Sequence, residues 1–130
     1  MKRYLFVCVE NANRSQMAEA FARIHGGPNV EASSAGSKPS GCVNPKAVEA
    51  MRRVGYDLTH HRSISLDELP EVEFDVVVTM GCGDACPNVR AAHREDWQIP
   101  DPARLPEAEF NAVRDLIESK VRRLLAPDDA

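Results

Sequence analysis

Two rhythms of apolar residues alternate along the chain. Tyr4-Leu5-Phe6-Val7 and Phe74-Asp75-Val76-Val77-Val78-Thr79-Met80 are short, nearly continuous apolar runs, the second rich in valine. That is the pattern of strands buried on both faces of a parallel sheet. Elsewhere apolar residues recur at helical steps. Met17, Ala18, Phe21 and Ile24 form one stripe from about Ser15 to Ile24 and are expected in the core. Phe110, Val113, Ile117, Val121 and Leu124 form the stripe of a closing helix.

Punctuation agrees with the rhythm. His25-Gly26-Gly27-Pro28 stops the first helix with glycine and then proline. Val30 to Gly36 reads as a second, short strand that ends in a glycine turn. Asn44-Pro45 is a cap followed by proline at the first helical position, and it opens a helix to about Val54 that ends at Gly55. Ser65-Leu66-Asp67-Glu68 has capping-box spacing and predicts a short helix before Pro70. A last, shorter strand is expected around Arg94-Glu95-Asp96-Trp97, and Ala126 to Ala130 reads as a loose tail. Strands alternating with helices make an α/β fold, a parallel sheet flanked by helices on both faces. With 130 residues and no linker, repeat or low-complexity stretch, residues 1–130 are expected to form one domain.

Composition narrows the class. Hydrophobic residues at 43% and charged residues at 28% are ordinary for a globular domain. A net charge of −4 with no basic run argues against a nucleic-acid partner, and any anion site must be built locally. The apolar run after Met1-Lys2-Arg3 is too short for a signal peptide, and no run approaches the roughly 20 apolar residues of a membrane span. A cytoplasmic location with no membrane partner is therefore expected. In a reducing compartment the four cysteines point to chemistry more than to a structural disulfide framework.

The chemistry starts where the first strand ends. Cys8-Val9-Glu10-Asn11-Ala12-Asn13-Arg14-Ser15 links that strand to the first helix. A strand, a short loop and a helix start bring several backbone N–H groups around one point, with the positive end of a helix dipole behind them. Residues Val9, Glu10, Asn11, Ala12, Asn13, Arg14 and Ser15 thus form a candidate oxyanion cradle, with Cys8 as a sulfur nucleophile at its mouth. Arg14 offers a planar fork for two oxygens of a tetrahedral anion. Ser15 can donate its hydroxyl to the sulfur. Asn11 tolerates left-handed backbone angles and can brace the loop. In a parallel sheet this loop sits at the carboxyl ends of the strands, where ligands bind.

Two further features lie at the same sheet edge. Cys82 and Cys86 occupy a glycine-containing loop after the Val76–Val78 strand. A zinc site would need four ligands that the sequence does not supply with suitable spacing. Two inert buried thiols fit poorly with such a loop, and a redox relay that attacks an adduct at Cys8 fits best. Cys42 has no partner nearby in sequence, and adjacent His60-His61 reads as a solvated turn. Asp101, between Pro100 and Pro102, sits in a restricted, extended loop that suits an aimed general acid.

These pieces resemble the low-molecular-weight protein tyrosine phosphatase superfamily, and within it the thiol-coupled arsenate reductases. The resemblance covers essentially the whole chain: Cys8 to Ser15 with Gln16-Met17-Ala18-Glu19 after it, Ser34-Ala35-Gly36, Asn44-Pro45, the Cys82/Cys86 loop and Asp101-Pro102-Ala103. It implies a four-stranded parallel sheet, with Cys8 as nucleophile, Arg14 as oxyanion clamp, Asn11 and Ser15 as loop supports and Asp101 as general acid. Phosphatases acting on phosphotyrosine usually carry Tyr after the Asp-Pro; here Ala103 stands there, which with the Cys82/Cys86 pair points to a reductase. Glu10 stands where the family usually has Gly, and Asn13 where tyrosine phosphatases often have a second Cys. The resemblance implies arsenate or phosphate as the bound oxyanion and no bound cofactor or metal. Electrons would come from an external thiol, thioredoxin or a low-molecular-weight thiol such as mycothiol. A monomer is expected. The alternatives are a phosphatase acting through a phosphocysteine intermediate, and a non-enzymatic oxyanion-binding module.

Overall fold

The computed structural model describes residues 2–81 and 89–126; Cys82 and Cys86, and with them the expected relay, lie outside the described residues. Strands β1 (Lys2–Cys8), β2 (Val30–Gly36), β3 (Phe74–Thr79) and β4 (Ala91–Asp96) form one sheet in the order β2-β1-β3-β4. Every pairing is parallel, and β1 runs in register with β2 from Lys2 opposite Val30 to Cys8 opposite Gly36. Cys8 therefore ends the central strand, directly beside the glycine that ends its neighbour.

Helices α1 (Arg14–Gly26), α2 (Pro45–Arg52) and α3 (Glu107–Leu125) all pack on one face. There Tyr4, Phe6 and Cys8 of β1 and Val76 and Val78 of β3 meet Met17 and Phe21, Ala47 and Met51, and Phe110, Val113, Ile117 and Val121. Alternate residues Leu5, Val7 and Val77 face the other way, as the two-residue period of a strand requires, and Phe74 at the start of β3 joins their cluster. Among the described residues the helical cover of that second face is one 3-10 turn, Leu66–Glu68, joined by Ile64, Leu69 and Val72. The reason is local. Ser65 and Glu68 complete the expected capping box, but Pro70 prevents the turn from propagating.

Two expectations need correcting. Ile24 is 43% exposed, because the buried part of α1 ends at Ala22 and its last turn projects past the core. The last strand begins earlier than its sequence signal and stops at Asp96, before the buried Trp97. No described helix is long and apolar enough to cross a membrane.

Candidate active site

The loop between β1 and α1 is built by turning its carbonyls outward. Cys8, Val9, Glu10 and Ala12 give their carbonyl oxygens to the N–H groups of Ser37, Lys38, Ser40 and Asn44 at 3.4, 2.8, 3.0 and 3.1 Å. The Asn11 carbonyl accepts from Gln16 Nε2 and the Asn13 carbonyl from Met17 N, both at 3.0 Å. With six consecutive carbonyls engaged, the polar groups left to line the inside of the loop are its N–H groups, at the positive end of α1. Gly36 makes this possible: a Cβ there would lie 2.6 Å from the Val9 carbonyl oxygen and 3.0 Å from Asn11 N.

Asn11 takes the left-handed conformation expected of it, with φ at 51°. Its side-chain orientation is fixed by a donor that cannot be reversed, the backbone N–H of Ile64, which reaches Oδ1 at 2.9 Å. Nδ2 must then face Ser15 and donates to Ser15 Oγ at 2.7 Å. That bond occupies a lone pair of Oγ and leaves the Ser15 proton for Cys8 Sγ, 2.9 Å away. The sulfur of Cys8, a residue 2% exposed, thus faces a hydroxyl oriented to hold negative charge.

A second arm reaches Asn11 from Gln16, a residue that the sequence marks only as following the loop. Gln16 Nε2 faces three acceptors: Asn11 O and Oδ1 at 3.0 Å each, and Arg62 O at 2.9 Å. Its Oε1 must therefore accept, and does so from His61 Nδ1 at 2.9 Å, while Tyr56 OH donates to His61 Nε2 at 2.7 Å. His61 is not the solvated turn residue expected, since its side chain is only 3% exposed. Burial pushes its pKa below the ordinary histidine range, against the opposite pull of Glu19, whose carboxylate lies 3.8 Å away. The pattern of bonds is that of a neutral ring carrying its proton on Nδ1. Glu19 is itself held by Ser34 Oγ at 2.6 Å and Arg23 at 2.8 Å.

Arg14, 9% exposed, sends Nη1 to the Ile99 carbonyl at 3.1 Å, two residues before Asp101. Gly81 gives it room. Its φ is 88°, and a Cβ there would sit 2.8 Å from Arg14 Nη1. Asp101 is exposed, and its Oδ1 accepts from Ala103 N at 3.1 Å in a local turn. Glu10 is exposed as well, while Asn13 is buried and, among the described residues, its Oδ1 has no hydrogen-bond partner. Cys42 is exposed in the segment that clasps the loop. No sequence signal identified His61, Tyr56 or Gly81 as parts of the site. For Gly81 its place beside the strand end was the one available hint.

A cysteine-bearing loop of this form, at the carboxyl end of a parallel sheet, defines a class. The model of the low molecular weight phosphotyrosine protein phosphatase family matches residues 3–128, and the chain belongs to that family. The similar proteins include arsenate reductases. Arsenate reductase 2 of Staphylococcus epidermidis is 40% identical over 124 residues, covering 92% of this chain and 93% of its own. The glutaredoxin arsenate reductase of Synechocystis is 35% identical over 97% of this chain and 98% of its own. A solved arsenate reductase in a phosphate-binding state superposes with a TM-score of 0.88 at 35% identity, covering 96% and 97% of the two chains.

Proposed function

We propose that this protein is an arsenate reductase that uses Cys8 as its nucleophile and an external thiol as its electron source. The observation that carries the reading is the fixed hydrogen-bond order from Ile64 through Asn11 and Ser15 to Cys8, at the mouth of a loop whose carbonyls all point away. Cys8 attacks arsenic while the N–H groups of residues 9–15 and the Arg14 guanidinium hold the remaining oxygens. Asp101 protonates the departing hydroxyl, which leaves as water. Cys82 then attacks Cys8 Sγ: the sulfur–sulfur bond forms, the sulfur–arsenic bond breaks, and its electron pair stays on arsenic, which departs as arsenite. Cys86 attacks Cys82 and releases Cys8 as a thiolate, leaving a Cys82–Cys86 disulfide for thioredoxin or a low-molecular-weight thiol to reduce. Reductases among the relatives, one of them named for glutaredoxin, support an external donor.

The family model favours a second reading, a phosphatase using the same Cys8, Arg14 and Asp101 with water to clear a phosphocysteine. Ala103, in place of an aromatic wall beside the acid, and the Cys82/Cys86 pair favour the reductase. The test is arsenite release under thioredoxin turnover beside phosphate release from an aryl phosphate. Sustained arsenite production supports the reductase; phosphate release without arsenite supports the phosphatase.

A further inference from the structure

The segment that carries Asp101 makes two local hydrogen bonds, from Ala103 N to Asp101 Oδ1 at 3.1 Å and from Leu105 N to the Pro102 carbonyl at 2.9 Å. Pro100 and Pro102 flank the acid and have no N–H to donate. The carbonyls of Ile99, Ala103 and Leu105 are gripped by two cationic side chains from other elements. On one side Arg14 Nη1 holds the Ile99 carbonyl at 3.1 Å. On the other, Lys46 Nζ donates to the Ala103 carbonyl at 3.1 Å and to the Leu105 carbonyl at 3.4 Å. The grips fall two residues before and two residues after Asp101.

Lys46 is also well placed to transmit position. It lies in the first turn of α2, where its own N–H is capped by Asn44 Oδ1 at 3.0 Å. The N–H of that same Asn44 donates to the Ala12 carbonyl of the nucleophile loop at 3.1 Å. One end of α2 is thereby bonded to the loop that holds the oxyanion and, through an ammonium, to the segment that holds the acid.

We propose that Lys46 is a positioning residue for Asp101, fixing the distance between the general acid and the oxyanion loop. This rests on the reading of Asp101 as general acid. Lys46 needs no contact with substrate for this role. A small misplacement of an acid that must meet one departing oxygen is sufficient to slow proton transfer.

The test is a double-mutant cycle on the full chain, reading the rate and substrate dependence of arsenite release in a single turnover. Lys46→Met, which keeps the aliphatic stem and removes the donor, should slow the step by about tenfold, part of the roughly 100-fold or more that general acid catalysis supplies. The arsenate concentration giving half the maximal rate should stay within about twofold, as should the rate of Cys8 alkylation, because the oxyanion loop is untouched. Lys46→Arg, which can still donate to both carbonyls, should recover most of the rate. On an Asp101→Asn background Lys46→Met should add no further loss.

Equal losses on both backgrounds, or slowed Cys8 alkylation, would show that Lys46 acts on the fold generally and would overturn the proposal. A slow Asp101→Asn variant with Lys46→Met at the wild-type rate would overturn the role of Lys46 alone. Asp101→Asn at the wild-type rate would remove the general acid, and the proposal with it.

Discussion

Asn11 works through both side chain and backbone: its Oδ1 accepts from Ile64 N and Gln16 Nε2, its Nδ2 donates to Ser15, and its left-handed backbone bends the loop. Exchanging its NH2 for oxygen isolates the donor. Asn11→Asp keeps the bond from Ile64 but requires Ser15 to give its proton to the new carboxylate, turning a lone pair toward Cys8. The loss should be that of a hydrogen bond to a charged group, roughly 1.5–3 kcal/mol in the rate of Cys8 alkylation at fixed pH. Unchanged alkylation would mean that Ser15 is not the sulfur's donor. Arg14 carries a comparable specificity. Arg14→Lys keeps the charge but loses the fork, and should reduce arsenate turnover by roughly 2–4 kcal/mol of transition-state stabilisation; near-normal rates would make the arginine structural. At this scale much was readable in advance. Cys8, Asn11, Arg14 and Ser15 are adjacent in sequence, so a strand followed by a helix is enough to bring them together. His61 was not readable, because His60 and His61 differ only in which ring the tertiary packing buries.

Elements place those residues, and their ends matter more than their middles. The last residue of strand β2, Gly36, has no room for a side chain, because the Val9 carbonyl would lie 2.6 Å from any Cβ there. Gly36→Ala should therefore destabilise the fold and disturb the loop together. A midpoint in denaturant lowered by the equivalent of about 1–3 kcal/mol is expected, along with weaker binding of phosphate as a probe; wild-type values for both would contradict the close approach. The 3-10 turn at Leu58–His60 and the residues after it bring His61 under the loop. Since burial lowers its pKa in the folded state, the unfolded chain binds the proton more readily. Stability should then rise with pH across the window between that lowered value and about 6.5, and be insensitive to this group above it. His61→Phe should flatten that part of the profile, and an unchanged slope would refute the assignment. Strand β4 shows why element boundaries escaped the sequence. It lies at the sheet edge with exposed Ala92, His93, Arg94 and Asp96, so it lacks the apolar run that marked β1 and β3. Helix α1 erred in the other direction, its apolar spacing continuing one turn beyond the core that receives it.

The whole molecule decides between reductase and phosphatase, because both proposed reactions would use Cys8, Arg14 and Asp101. The parallel sheet explains how residues distant in sequence meet: Cys8 ends β1, Gly81 follows β3 and Ile99 follows β4, all at one edge. The overall architecture was legible because strand and helix rhythms differ clearly. The contacts across that edge were not, since they depend on where loops pack. What separates the two reactions is the route taken by electrons. A phosphatase clears its adduct with water, whereas the proposed reductase needs Cys82 to break the sulfur–arsenic bond. Cys82→Ser should consequently stop thioredoxin-coupled arsenite formation while leaving any aryl phosphate hydrolysis unchanged. The most direct measurement is made on Cys86→Ser, exposed to arsenate without reductant and examined by intact mass and peptide mapping. The account predicts one equivalent of arsenite and a protein lighter by two hydrogens, with Cys8 joined to Cys82. Arsenate consumed with both thiols still free, or arsenite formed catalytically without any Cys8–Cys82 disulfide, would contradict it.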